Sequence, residues 1–276
     1  MTHRDRVLKT LAHKEPDRIP VDFGGWLCGI KPLAYKNLCQ HVGIVSNGWK
    51  SYTPQEAILR RWDIDFRRIT VRGPSRTQKK PDGTTEDEWG VVRRYEAGDE
   101  QIVTFPLKHA SVDDIPEART ADPALVWKYD EARNQGRKLQ NEGFAVVAQP
   151  NCQGVFERAC WRCGFERILM DILTQPDFVH ALFEKITRIQ ETYARDYYGT
   201  VGNFADIVQL GDDFGTQQGP FLGSGHYCEF IRPYQMRYHK AIREGTDAAI
   251  FHHSCGSVVK GAPLLMVLKQ PLLLIL

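Results

Sequence analysis

The sequence predicts an α/β protein built on a parallel sheet, and two observations carry that reading. F-A-V-V-A at 144–148 is a short continuous apolar run and I-V-Q-L at 207–210 is apolar but for Gln209; both have strand length and read as strands covered from both sides. Between them the pattern switches to helical periodicity, so strands and helices alternate. A third observation locates function. Ligand-type polar residues follow the strand ends: Gln149 and Asn151, Asp212 and Asp213, His253 and Cys255. A (β/α)8 barrel and an open doubly wound sheet both fit. No G-x-G-x-x-G follows any strand, which disfavours the dinucleotide-binding version, and a barrel carries its site at the C-terminal face of its strands.

Taken in order, Thr2 is placed to cap a first helix running to about His13, with Val7, Leu8 and Leu11 on its apolar face. Pro16 and Pro20 bracket an exposed turn, 21–23 is extended, and Gly24-Gly25 turns the chain. Pro54 opens a helix containing Ile58 and Leu59. The segment 65–71 (D-F-R-R-I-T-V) alternates as a strand, and 86–95 reads as an inserted hairpin around Trp89-Gly90. A helix follows Pro123 and runs to about Asn141, before the strand at 144–148. One helix is predicted over 155–173, with Phe156, Ala159, Cys160, Cys163, Ile168 and Leu169 inside, and another from Pro176 to about Tyr198. The strand at 207–210 ends in G-D-D-F-G. Ser224 caps a helix passing through Phe230, Tyr234 and Tyr238, and 248–252 is the fourth core strand.

With 276 residues the chain is long enough for one large domain with a sizeable core. A net charge of +2 gives no global electrostatic case for nucleic acid. Seven cysteines at irregular spacings, with no secretory leader, point to free thiols in a reducing cytoplasm. The apolar run 263–276 is interrupted by Lys269 and Pro271 and is shorter than the roughly 20 residues a bilayer span needs, so no membrane role is expected.

His253-Ser254-Cys255, followed by Gly256, closes the apolar run 248–251. In a strand, residues i and i+2 share a face, so an imidazole and a thiol aim at one point. Zinc takes that pair of ligand types, and a catalytic zinc wants three protein ligands and an open position. The alternative is a core histidine beside a small buried cysteine. Asp212-Asp213 reads as a metal or substrate site, or as a polar strand end. His252 alternates away from His253 and packs. Cys160-x-x-Cys163, inside an amphipathic helix, reads as core, as does Trp161, and Arg4 and Arg6 read as a solvated helix face.

Several motifs converge in order: the opening T-H-R-D-R-V-L-K-T-L-A-H-K-E-P-D-R-I-P-V-D, then D-E-W-G at 87–90, F-E-R-A-C-W-R-C-G-F-E-R-I-L-M-D at 156–171, G-D-D-F-G-T-Q-Q-G-P-F-L at 211–222, F-I-R-P-Y at 230–234 and H-S-C-G at 253–256. Together they resemble the uroporphyrinogen decarboxylase superfamily, and within it the corrinoid-dependent methyltransferase branch. The resemblance implies a (β/α)8 barrel in which His253 and Cys255 are zinc ligands and Asp212 and Asp213 are catalytic, orienting groups at the adjacent strand. It implies zinc and a corrinoid carried by a partner protein as cofactors, and a small thiol or methylated substrate. Decarboxylation of a porphyrinogen is the alternative. The family's decarboxylases carry arginines soon after the N-terminal Pro-Val, whereas Pro20-Val21 here is followed by D-F-G-G-W. The family also continues for several βα units beyond H-x-C-G and draws its third zinc ligand, a cysteine, from there. The expectation is therefore a barrel with about the first half of its strands in a domain 1–258, and an aberrant apolar tail at 259–276. The third ligand is expected to be missing, with Cys28, His109 and Cys152 as substitutes to examine. A chain so shortened could also be an inactive fragment.

Overall fold

A computed structural model of the chain describes residues 1–48, 52–70, 77–96, 99–122, 129–149, 154–258 and 272–275. Helix α1 (His3–Leu11) begins at Thr2, whose hydroxyl accepts from the Asp5 amide while Asp5 accepts from the Thr2 amide. This reciprocal cap satisfies two orphan donors at once. Helices α2 (Pro32–Val42) and α3 (Glu56–Arg61) precede the first core strand, β1 (Phe66–Thr70). An antiparallel insert follows, β2 (Gln78–Lys79), β3 (Thr85–Glu86), β4 (Val92–Glu96) and β5 (Asp99–Thr104), paired in chain order. The predicted hairpin is its β3–β4 pair. The helix predicted after Pro123 is α4 (Tyr129–Asn141), its first residues lying outside those described.

Strand β6 (Ala145–Gln149) leads to α5 (Val155–Cys163), α6 (Phe165–Thr174) and α7 (Pro176–Val201). The single helix expected over 155–173 is two, because Gly164 takes φ 97°, a left-handed-side conformation that ends one helix and starts the next. Strand β7 (Ile207–Gly211) is followed by α8 (Ser224–His226), a wide turn at Tyr227–Ile231 with i→i+5 geometry, and α9 (Arg232–Arg243). Pro233 has no N–H for the carbonyl four residues earlier, and the wide turn falls just before it. Gly223 occupies the cap position and Ser224 makes no capping bond. Strand β8 (Ala249–His253) completes the four predicted core strands. A fifth strand, β9 (Leu272–Ile275), lies parallel to β8, so part of the expected aberrant tail joins the sheet.

The core sheet runs β1-β6-β7-β8-β9, every pair parallel. Its order follows the chain without reversal, which is the winding of a (β/α)8 barrel; a doubly wound sheet reverses at a switch point. The sheet is an open part of such a barrel, with β1 and β9 at its edges. Its outer face, with Ile69, Val146, Ala148, Val208, Leu210 and Ile250, packs on α4, α7 and α9. Its inner face, with Phe66, Ala145, Val147, Ile207 and Phe251, meets Val7 and Leu11 of α1. Among the described residues no helix is long and apolar enough to cross a membrane.

Arg4 and Arg6 are not a solvated face. Arg6 is buried, bonding Asp17 at 2.6 and 2.8 Å and the wholly buried Asp65 at 2.5 Å, while Arg4 reaches Asp206 at 2.9 Å. The physical reason is that α1 lies across the start of β1 and β7, where these carboxylates sit. Cys160 and Cys163 are buried in the core, as predicted, and Trp161 packs against it partly buried.

Candidate active site at the ends of β7 and β8

Parallel pairing sets Gly211 of β7 opposite His253 of β8. The two chains stay bonded beyond the strands. The Asp212 amide donates to the His253 carbonyl at 3.1 Å, and the Phe214 amide to the buried Ser254 hydroxyl at 2.9 Å. Gly256 takes φ 88°, and a Cβ there would lie 2.2 Å from the Gly215 carbonyl oxygen. Only glycine allows both the turn and the approach. The result is a stapled corner that presents Asp213, His253 and Cys255 together.

His253 Nε2 is 3.2 Å from Cys255 Sγ and 3.7 Å from Asp213 Oδ1, and the three donor atoms all lie within 4.8 Å of one another. The Asp213 Oδ1 also accepts from the Cys255 amide at 2.7 Å, which fixes both residues. Ligands at zinc bond lengths in a tetrahedron stand roughly 3.5 Å apart, so one nitrogen, one sulfur and one carboxylate donor fit a single ion. Cys255 is exposed, unlike a core cysteine, and His253 and Asp213 are half-buried. The corner therefore has an open side. Burial, followed by the charge of Asp213, pushes the Cys255 thiol up to about 11, and burial lowers His253. A cation would reverse the first effect, because coordination stabilises thiolate.

Asp212 does not join this group. It is buried, and its carboxylate accepts from the Phe156 amide at 3.1 Å and the Glu157 amide at 2.7 Å, at the start of α5. The Gly154 amide donates to the Gly211 carbonyl at 2.8 Å alongside. Asp212 thus ties the end of β7 to α5 and acts as a positioning residue; burial and then the charge of Glu157 push it well above the carboxylate range. Glu157, which sequence reasoning missed, is pushed up to about 7 by burial and then by Asp213. No periodicity marks it, since its place depends on α5 starting against Asp212.

Toward the barrel axis, Arg68 of β1 pairs with Asp22 at 2.5 and 2.9 Å. The Gly24–Trp26 loop lies over this mouth. A Cβ on Gly25 would be 2.4 Å from Arg68 Nε, and one on Gly211 would be 2.5 Å from the Trp26 ring. His252 points to the other face and stacks on Phe214, as its alternation predicts. Of the substitute ligands, His109 is exposed and Cys28 lines a separate cavity; neither joins the cluster, and Cys152 lies outside the described residues.

Residues 133–269 match the sequence model described as Uroporphyrinogen decarboxylase (URO-D), a span holding α5, Asp212, Asp213, His253 and Cys255. Among solved structures, a methyltransferase from Methanosarcina mazei is similar over 99% of this chain and 75% of its own, with TM-score 0.57 and 14% identity. That likeness establishes the fold. No curated protein matches the sequence.

Proposed function

We propose, for a chain that belongs through residues 133–269 to the uroporphyrinogen decarboxylase family, that it is a zinc-dependent methyltransferase acting on a thiol. The observation that carries the reading is the convergence of Asp213, His253 and Cys255 at one open corner past the strand ends. The fold likeness to a methyltransferase supports it. Bound there, zinc would keep a substrate thiol as thiolate near neutral pH, and a corrinoid on a partner protein would supply the methyl group.

The chain's own residues then have distinct tasks. His253, Cys255 and Asp213 hold the ion, with Asp213 standing where the resemblance implies a later cysteine. The Cys255 amide, bonded to Asp213, keeps thiol and carboxylate in register. Asp212 holds α5 in place. Trp26 lies against Gly211 on the axial side of the corner.

The test is methyl transfer from methylcobalamin to 2-mercaptoethanol by the zinc-loaded protein. Turnover is expected, falling about a hundredfold or more in Cys255→Ala and His253→Ala. Turnover of uroporphyrinogen, equal in Cys255→Ala, with no thiol methylation, would favour the decarboxylase instead. Arg68 at the axial mouth is already paired with Asp22, which disfavours that reaction.

A further inference from the structure

Below the corner, the inner face of the sheet is not packed shut. A cavity of about 460 Å3 lies between it, α1 and the 19–28 segment. That volume is in the range of small-molecule sites, about 300–1,000 Å3. Leu11, Phe66, Val147, Ile207 and Phe251 give it apolar walls. Of its polar wall residues, Thr10 and His13 are exposed and Asp22 is half-buried, whereas Gln209 is buried. Gln209, at the centre of β7, is 2% exposed, and neither its Oε1 nor its Nε2 has a hydrogen-bond partner among the described residues. Native interiors pair nearly all such groups. A carboxamide unpaired at both ends, aimed into an apolar cavity, calls for a guest that can accept and donate in one plane. Asp22 in the same wall is already paired with Arg68.

We propose that this cavity binds a small, mainly apolar molecule carrying one neutral primary carboxamide, which forms a cyclic pair with Gln209. The guest's N–H donates to Gln209 Oε1 while its carbonyl accepts from Gln209 Nε2. The site is distinct from the metal-ligating corner. Trp26 lies against Gly211, two residues along β7 from Gln209 and opposite His253, so the indole stands between the two places.

The probe is octanamide, measured by isothermal titration calorimetry against N,N-dimethyloctanamide and octanoate. The dimethyl amide keeps the acceptor and loses the donor. Octanamide is expected to bind the unmodified protein at least about tenfold more tightly than either, the equivalent of one or two buried hydrogen bonds. Gln209→Leu is expected to erase that preference, and Ala249→Phe, which fills the cavity from β8, to erase binding. Cys255→Ala is expected to bind octanamide unchanged, which separates this site from the proposed methyl transfer. Equal affinity for the two amides, tighter binding of octanoate, or no octanamide binding up to its solubility limit would overturn the proposal. Those three results come from the unmodified protein, so they decide even if a variant fails to fold.

Discussion

His239 and Asp65 show how single buried groups set this protein's response to acid and to substitution. His239 is buried, and burial, followed by the neighbouring His252 and Arg243, pushes it down to about 3. In the unfolded chain a histidine titrates near 6.5. Below that pH the unfolded chain takes up a proton that the native one refuses. The stability tied to this site is complete above about pH 6.5 and falls by about 1.4 kcal/mol per pH unit toward pH 3. Urea unfolding at pH 7, 6 and 5 should show this loss, and His239→Gln should remove that much of the slope; an unchanged slope would contradict it. Asp65 accepts from His3, Arg6, Arg18 and the Val21 amide with none of its side chain exposed. Asp65→Asn is expected to cost about 3 kcal/mol or more, since it leaves buried cations short of a partner. Asp63, with its side chain 66% exposed, pairs with Arg18 too, and Asp63→Asn should cost less than about 1 kcal/mol in the same unfolding assay.

At the scale of elements, the junction of β7 and α5 bears the most consequence for the site. Asp212 is the acceptor for two amides of the first turn of α5. Asp212→Ala should cost about 2 kcal/mol, the worth of a lost cap with buried donors left over. Gly154→Ala would put a Cβ 2.0 Å from the Asp212 carboxyl carbon, and thermal unfolding should show a loss of about 3 kcal/mol. Wild-type stability in either variant would mean that α5 is anchored elsewhere. The strands of this region were legible because each is a short, mainly apolar run, F-A-V-V-A at 144–148 and I-V-Q-L at 207–210. The break at Gly164 was not, because an isolated glycine is tolerated inside a helical pattern; the step of five residues from Cys163 to Ile168, where a continuous helix would repeat after three or four, is its trace in the sequence. Helix α2 was missed for the opposite reason: it buries only Tyr35 and Cys39, too sparse a stripe to register. His253 and Cys255 were legible as a pair from their i, i+2 spacing. That Asp213 lies within ligand distance and Asp212 does not depends on the β7–β8 register and on α5, which no local pattern carries.

For the whole molecule, the decisive feature is a parallel sheet wound in chain order with each edge strand, among the described residues, paired on one side only. Open edges offer unpaired backbone groups to other chains. Sedimentation velocity across a tenfold concentration range should show reversible self-association, and a single monomer species throughout would contradict that expectation. The resemblance to a barrel family rested on motifs spread from residue 2 to residue 256, so the architecture was readable from their order. The contribution of β9 was not, because an apolar run with two breakers reads as a tail rather than a strand. The same winding brings Asp213 and His253–Cys255 from two crossovers to one corner, and zinc at that corner can be read by X-ray absorption on the zinc-loaded chain. One zinc per chain with a single sulfur at about 2.3 Å and nitrogen or oxygen donors at about 2.0–2.2 Å is the expected spectrum, with the sulfur shell lost in Cys255→Ala. Zinc that binds below one per chain, or a spectrum with no sulfur shell, would contradict a metal centre built from Asp213, His253 and Cys255.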